Sequence, residues 1–155
     1  MKADLTPLYF IGPKQIISSL DSNKVLDIKG ASCYKGAILQ LFSNHKGLNQ
    51  KFFIEKVGYS EFIIRAAHSN LVLGVEQDEV DFSDKPTYPD QRVIQLYQNN
   101  KNNQKWIFED AQNGYFYIRS TLGWYLHVED GKAEDSNPIN IHPFNGSKAQ
   151  LFRIE

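Results

Sequence analysis

Gln104-Lys105-Trp106 is one of three Gln-x-aromatic triplets in this chain of 155 residues. The other two are Gln50-Lys51-Phe52 and Gln150-Leu151-Phe152, so the triplets lie roughly fifty residues apart. Upstream of each lies an alternating apolar strand, and before that an apolar triplet with a variable centre: Leu26-Asp27-Ile28, Leu73-Gly74-Val75 and Leu126-His127-Val128. Landmarks that recur in one order at a regular spacing indicate an internal threefold repeat.

Short apolar and aromatic runs between turn residues fill each repeat, and no window keeps a helical period. Leu8–Ile11, Phe62–Ile64 and Tyr115–Ile118 are examples. We therefore predict an all-β chain with about four strands per repeat and about twelve in all. A single repeat of this length cannot bury its own hydrophobic face, so the three are expected to close on one another.

The length suits one domain, with room for a sizeable core. We assign residues 1–155 to that domain and place the repeats at approximately 8–56, 57–110 and 111–155. The second repeat is longer because it contains the segment 76–91, which carries two prolines and is interpreted as a loop.

Charge and composition argue against several classes of function. The formal net charge of −1 does not favour nucleic acid or an anionic membrane, and no apolar run is long enough for membrane insertion. Cys33 is the only cysteine and no signal-peptide pattern is visible, which together favour the cytoplasm; secretion without a signal peptide stays open. No nucleophile elbow, His-Glu-x-x-His motif or phosphate loop occurs, so we expect neither catalysis nor a cofactor.

The three triplets, their upstream apolar triplets and the intervening Gln-Leu-aromatic strands resemble the ricin-type β-trefoil lectin domain. The resemblance covers the chain from about residue 8 to the end. It implies a β-trefoil fold and a shallow site for galactose- or N-acetylgalactosamine-type glycans. It also implies that the Gln and the aromatic residue of each triplet are mainly structural.

In that family the sugar ligands are an Asp at the centre of the apolar triplet, a Gln and an aromatic residue of the next strand, and an Asn before the motif Gln. The first repeat fills every position and is the predicted carbohydrate-binding site: Asp27, Gln40, Phe42, Asn49 and Gln50. A carboxylate accepts from sugar hydroxyls, amides both donate and accept, and an aromatic ring offers an apolar face. Since Gln40 and Phe42 alternate with leucines, we expect both on the exposed face of their strand, and we expect the fold not to depend on Asp27.

The other two repeats are less complete. The second keeps Gln95, Tyr97 and Asn103 but has Gly74 in place of the Asp, and would form at most a weaker second site. In the third, His127, His142 and Ala149 replace the Asp, the aromatic residue and the Asn, so no sugar site is expected there. The two histidines lack a third fixed ligand, so no metal site is predicted either.

Two alternatives stay open at this point. Asp27 could be a solvated surface carboxylate, and the domain could be a β-trefoil protease inhibitor or protein-interaction module acting through the loop 76–91, because fold alone does not decide function. For a lectin, glycans or glycoproteins are the expected partners. With one complete site per chain, crosslinking of cells would require a homodimer.

Overall fold

The computed structural model describes residues 10–77 and 90–155, and every regular element longer than three residues within them is a β-strand. The described ranges contain twelve strands: β1 Ile16–Ser18, β2 Lys24–Ile28, β3 Leu39–Ser43, β4 Phe52–Gly58, β5 Glu61–Ala66, β6 Val72–Val75, β7 Val93–Leu96, β8 Trp106–Asp110, β9 Tyr115–Ser120, β10 Tyr125–Val128, β11 Asn137–His142 and β12 Phe152–Ile154. The predicted all-β fold with four strands per repeat is confirmed. No helix in these ranges is long and apolar enough to cross a membrane.

Six of the twelve strands in the described residues form a closed barrel. β1 pairs with β12, β12 with β9, β9 with β8, β8 with β5 and β5 with β4, all antiparallel. A bridge between Lys14 and Phe52 brings the start of β4 beside the segment that leads into β1. Closure of this kind leaves few unpaired strand edges.

The other strands form three hairpins, β2–β3, β6–β7 and β10–β11. β3 pairs with β11, and single bridges join Ile38 to Ile94 and Arg92 to Asn140, so each hairpin contacts the other two. Three hairpins over a strand barrel, one hairpin per repeat, are the arrangement of a β-trefoil.

The aromatic residues of the three Gln-x-aromatic triplets converge in one core. Phe52, Trp106 and Phe152 are each 0 % exposed and belong to a single cluster of packed apolar side chains. The outer residues of the three apolar triplets are buried in the same cluster: Leu26, Ile28, Leu73, Val75, Leu126 and Val128. The repeat therefore arises because three equivalent sets of side chains fill one shared interior.

A short 3-10 turn precedes the motif aromatic in each repeat, at Leu48–Gln50, Asn102–Gln104 and Lys148–Gln150. Each turn ends on the buried motif Gln, and the residue before that Gln is buried as well. Equivalent positions of the three repeats can therefore be compared directly.

The expectation of a strand at Leu8–Ile11 is not met where it can be checked. Leu8 and Tyr9 lie outside the described residues, while Phe10 and Ile11 are not in a strand, and the first strand begins at Ile16. The Phe10 ring instead packs against Phe62 and Phe108, at centroid distances of 5.2 and 4.9 Å. Phe10 thus fills a small apolar cluster beside the main core without joining the sheet.

Candidate functional site

Asp27, at the centre of β2, is a buried carboxylate that accepts hydrogen bonds from three side-chain amides. Gln40 Nε2 donates to Oδ1 at 3.0 Å, while Gln50 Nε2 and Asn49 Nδ2 donate to Oδ2 at 2.9 and 3.2 Å. Since Asp27 is only 2 % exposed, the interpretation as a solvated surface carboxylate is wrong. The network gives a physical reason for an Asp in the middle of a strand, where this residue is otherwise disfavoured.

The same network corrects two expectations. Gln40 is buried, because it lies directly opposite Asp27 in the β2–β3 register and its amide reaches the carboxylate. The fold also depends on Asp27, since without the carboxylate the amides of Gln40, Asn49 and Gln50 would lose an acceptor. A buried polar group without a partner costs about 1–3 kcal/mol.

Gln50 links the carboxylate to the loop that follows β3. Its Nε2 also donates to Ser43 O at 3.0 Å, and its Oε1 accepts the backbone N–H of His45 at 3.0 Å. Asn49 has a comparable second bond, from Nδ2 to Ile28 O at 3.1 Å. Both amides therefore position Asp27 and hold the surrounding backbone together.

A shallow open cleft of about 220 Å³ lies beside this network. Its lining contains four of the five predicted site residues and three others that the sequence analysis did not select: Asp27, Gln40, Phe42 and Asn49, with Gly30, Ala31 and His45. Phe42 is half-buried and exposes part of its ring to the cleft, while Gln50 lies behind the carboxylate. Of the three additional residues, only His45 had a signal in the sequence. It lies between Phe42 and the motif residue Gln50.

Gln40 lines the cleft, and its Oε1 is buried without a hydrogen-bond partner. Its Nε2 is held by Asp27, so the carbonyl of the amide points away from the carboxylate. An unpaired buried acceptor next to a carboxylate is unfavourable unless water or a ligand supplies a donor. The lining of the cleft thus combines a carboxylate, two amides and an aromatic ring.

The second repeat uses the same residue types differently. Both hydrogens of Gln95 Nε2 are committed, to Ser32 O at 2.7 Å and to Tyr34 O at 2.8 Å, so this amide binds the first repeat and offers no donor to a ligand. A Cβ at Gly74 would lie 2.9 Å from Leu96 Cδ1, so an Asp cannot be accommodated there without a rearrangement. Tyr97 is 66 % exposed and Asn103 donates to Val75 O, which leaves a ring without a neighbouring carboxylate.

In the third repeat, His127 and His142 stand at the positions equivalent to Asp27 and Phe42. The rings of His127 and His142 stack at a centroid distance of 4.5 Å, and His142 Nδ1 lies 2.8 Å from Asp90 Oδ1. Ala149 supplies no amide where Asn49 stands in the first repeat. No group of three or more His, Cys, Asp or Glu side chains in residues 10–77 and 90–155 is arranged to hold a metal ion.

Acid is expected to destabilise the fold through His127. Burial, and then the charge of neighbouring His142, lower the pKa of His127 below its ordinary 6.5, while Asp90 and Asp130 oppose the shift more weakly. The unfolded chain then binds more protons than the folded one, so the free energy of unfolding is greatest above 6.5 and falls as the pH drops towards the lowered pKa. Urea unfolding at about pH 8 and about pH 5 should show a smaller loss in His127→Asn than in the parent chain. Equal losses would contradict this role.

The loop 76–91 falls mostly outside the described residues, which end at 77 and resume at 90. Its base is joined by Gln91 Nε2, which donates to Glu76 O at 2.8 Å, and by Glu76 N, which donates to Arg92 O at 2.9 Å. No described contact assigns the loop to a protease or another protein partner, so that alternative stays an untested hypothesis.

The chain folds as a β-trefoil with a carboxylate–amide cleft in its first repeat, and comparison with known proteins gives the same fold. Residues 14–84 match the family model of the ricin-type beta-trefoil lectin domain-like proteins, which confirms the resemblance inferred from the repeats. No protein of curated function matches the chain significantly.

Solved structures share the fold over nearly the whole chain. The designed threefold-symmetric protein ThreeFoil is similar with a TM-score of 0.83 and 25 % identity, over 92 % of this chain and 96 % of that one. The ricin B-like lectin of Macrolepiota procera, solved with lactose, has a TM-score of 0.73 and 18 % identity, over 93 % and 94 %. An exo-beta-1,3-galactanase from Clostridium thermocellum is similar with a TM-score of 0.84 and 23 % identity. The match covers 93 % of this chain but only 30 % of the galactanase chain. The fold therefore occurs both as nearly a whole chain and as part of a longer enzyme chain.

Proposed function

We propose that this chain is a lectin that binds galactose- or N-acetylgalactosamine-type glycans through the first-repeat cleft. The observation that carries the proposal is the grouping of Asp27, Gln40, Asn49 and the half-buried Phe42 ring around one open cleft. A sugar hydroxyl can donate to the Asp27 carboxylate while the apolar face of the sugar lies on the ring. The lactose bound by the Macrolepiota procera lectin supports a galactoside as the first ligand to test.

Asp27 retains capacity for a ligand despite its three amide donors. A carboxylate offers about four lone-pair sites. Two amides bind Oδ2 and one binds Oδ1, so Oδ1 keeps one site for a hydroxyl. The amides also hold the carboxylate in one orientation before the ligand arrives, which lowers the cost of binding.

A glycan array with purified protein tests the function directly. We expect signals from glycans that end in galactose or N-acetylgalactosamine, and calorimetric titration with lactose would then give the affinity. An array without any glycan signal would contradict the lectin function, while signals restricted to other terminal sugars would contradict only the galactoside specificity.

The Phe42 ring is expected to contribute through stacking. Phe42→Ala should weaken lactose binding by about tenfold, whereas Phe42→Trp should preserve or improve it, because the larger ring presents more apolar surface. Titration of both variants with lactose measures the effect. The matched control is Tyr97→Ala, which removes the equivalent ring of the second repeat where Gly74 supplies no carboxylate. If Tyr97→Ala weakened binding as much as Phe42→Ala, the second repeat would also be a binding site.

A further inference from the structure

We infer that the third-repeat hairpin β10–β11 is a proton-dependent switch. While at least one of His127 and His142 is neutral, the two rings stack and the hairpin is closed. When both rings are protonated they separate, and the hairpin opens locally within the folded chain. This switch is independent of the proposed lectin function, because it lies in the repeat in which no sugar site is expected. It acts on one hairpin, whereas the acid effect predicted above concerns the whole fold.

The stack brings two titratable rings into direct contact. The ring centroids of His127 and His142 are 4.5 Å apart, and the ring planes differ by only 25°. His127 is 7 % exposed, so a charge on its ring would be poorly solvated. Protonation of both rings would place two like charges face to face, where their repulsion is stronger than in open water.

Asp90 determines which of the two rings the closed hairpin can protonate. His142 Nδ1 lies 2.8 Å from Asp90 Oδ1, and an ionised carboxylate only accepts, so this Nδ1 carries a hydrogen. A proton added to Nε2 of the same ring leaves that bond intact and gives Asp90 an opposite charge. His142 can therefore be charged without breaking the stack, and protonation of His127 is the step that opens the hairpin.

The surroundings of His127 offer no partner for a charged ring. Its Nδ1 is buried without a hydrogen-bond partner among the described residues. Asn140 lies directly opposite in the β10–β11 register and is 0 % exposed, yet its Nδ2 and Oδ1 also lack partners there. In the first repeat, Asp27 and Gln40 stand opposite each other in the same way and are joined at 3.0 Å. The closed third hairpin thus leaves buried polar atoms unsatisfied, and access of water on opening would relieve that cost.

The direction of the proton effect follows from the pKa of His127. Burial, and next the charge of His142, lower this pKa, while Asp90 and Asp130 raise it less. An opened hairpin removes the two larger effects, so the open form binds protons more readily than the closed form. Acid therefore favours the open hairpin, and neutral or alkaline solution favours the closed one.

The segments that pack against the hairpin carry other charges that are exposed or paired. Arg119 of β9 is bound to Glu109 at 2.7 Å. Arg92, in the segment before β7, is exposed, and the side chains that the turn Lys148–Gln150 buries are uncharged. The balance between the two rings and the two nearby carboxylates therefore controls the switch.

Hydrogen exchange followed by NMR tests the switch in the parent chain. From about pH 8 to about pH 4.5, the protection factors of the β10 and β11 amides should fall by about tenfold or more relative to those of β2 and β3. The nuclear Overhauser contact between the rings of His127 and His142 should disappear over the same range. Equal losses in the two hairpins would indicate global unfolding instead. That result, or a ring contact that persists after both imidazoles are protonated, would overturn the inference.

Two substitutions should move the opening in opposite directions. His142→Gln keeps a donor for Asp90 but removes the second charge, so the loss of protection should occur at lower pH than in the parent. Asp90→Asn keeps an acceptor for His142 but removes the balancing carboxylate, so the loss should occur at higher pH. Residue 90 has a φ of 65°, a conformation that Asn tolerates. A His142→Gln chain that opens at the parent's pH, or two variants that shift in the same direction, would show that the paired charges do not drive the opening.

Discussion

Trp106→Ala is expected to lower the free energy of unfolding by about 3–5 kcal/mol. Trp106 is 0 % exposed in the shared core, so truncation would leave a large cavity, and its Nε1–H also donates to Leu73 O at 3.1 Å. Typical domains are stable by about 5–15 kcal/mol, so this loss would remove a large part of the stability. Urea and thermal unfolding followed by circular dichroism would measure the loss.

Trp124→Ala is the matched control for this prediction, because Trp124 is the other tryptophan and is only partly buried against the same core. Its loss of stability should be clearly smaller. Equal losses in the two variants, or unchanged melting of Trp106→Ala, would contradict the placement of Trp106 at the centre of the threefold core.

Loss of the Asp27 charge is expected to reduce lactose binding by about tenfold or more, because hydrogen bonds to a charged group contribute about 1.5–3 kcal/mol. Two substitutions separate binding from folding. Asp27→Ala should also destabilise the chain by at least about 1–3 kcal/mol, since buried amides lose their acceptor. Asp27→Asn should cost less, because Gln40 can turn its unpartnered Oε1 towards the new amide while Asn49 and Gln50 still find an oxygen.

Calorimetric titration with lactose and thermal melting of both Asp27 variants check this pair of effects. An Asp27→Asn chain that melts like the parent but binds lactose at full affinity would show that the ligand lies elsewhere. An Asp27→Ala chain with unchanged melting would show that the buried amides find other partners.

The threefold repeat could be recognised in the sequence because each repeat places equivalent side chains in the same core. Phe52, Trp106 and Phe152 fill one interior, and equivalent positions of a threefold structure have equivalent neighbours. Burial therefore imposes the same apolar spacing three times, and that spacing can be counted without coordinates. The resemblance of the first repeat to a known family also selected Asp27, Gln40, Asn49 and Gln50, and the structure places these four side chains together.

The use of each polar side chain could not be predicted in the same way. Gln40 and Gln95 occupy equivalent strand positions, yet Gln40 donates to Asp27 and Gln95 donates to the backbone of Ser32 and Tyr34. An amide binds whichever acceptor lies nearest, and for Gln95 that acceptor belongs to another repeat, more than 60 residues away in the chain.

The sequence by itself determined the fold class and the number of repeats, because these follow from the spacing and type of residues along the chain. It also selected the first repeat as the predicted binding site. Only the tertiary structure decided that Asp27 is buried and that a Cβ at Gly74 would lie too close to Leu96 without a rearrangement. Those features depend on distances of a few ångströms between atoms that the fold brings together from separate strands and loops. Hydrogen bonding and steric contact act over that range, and neither leaves a periodic signal in the sequence.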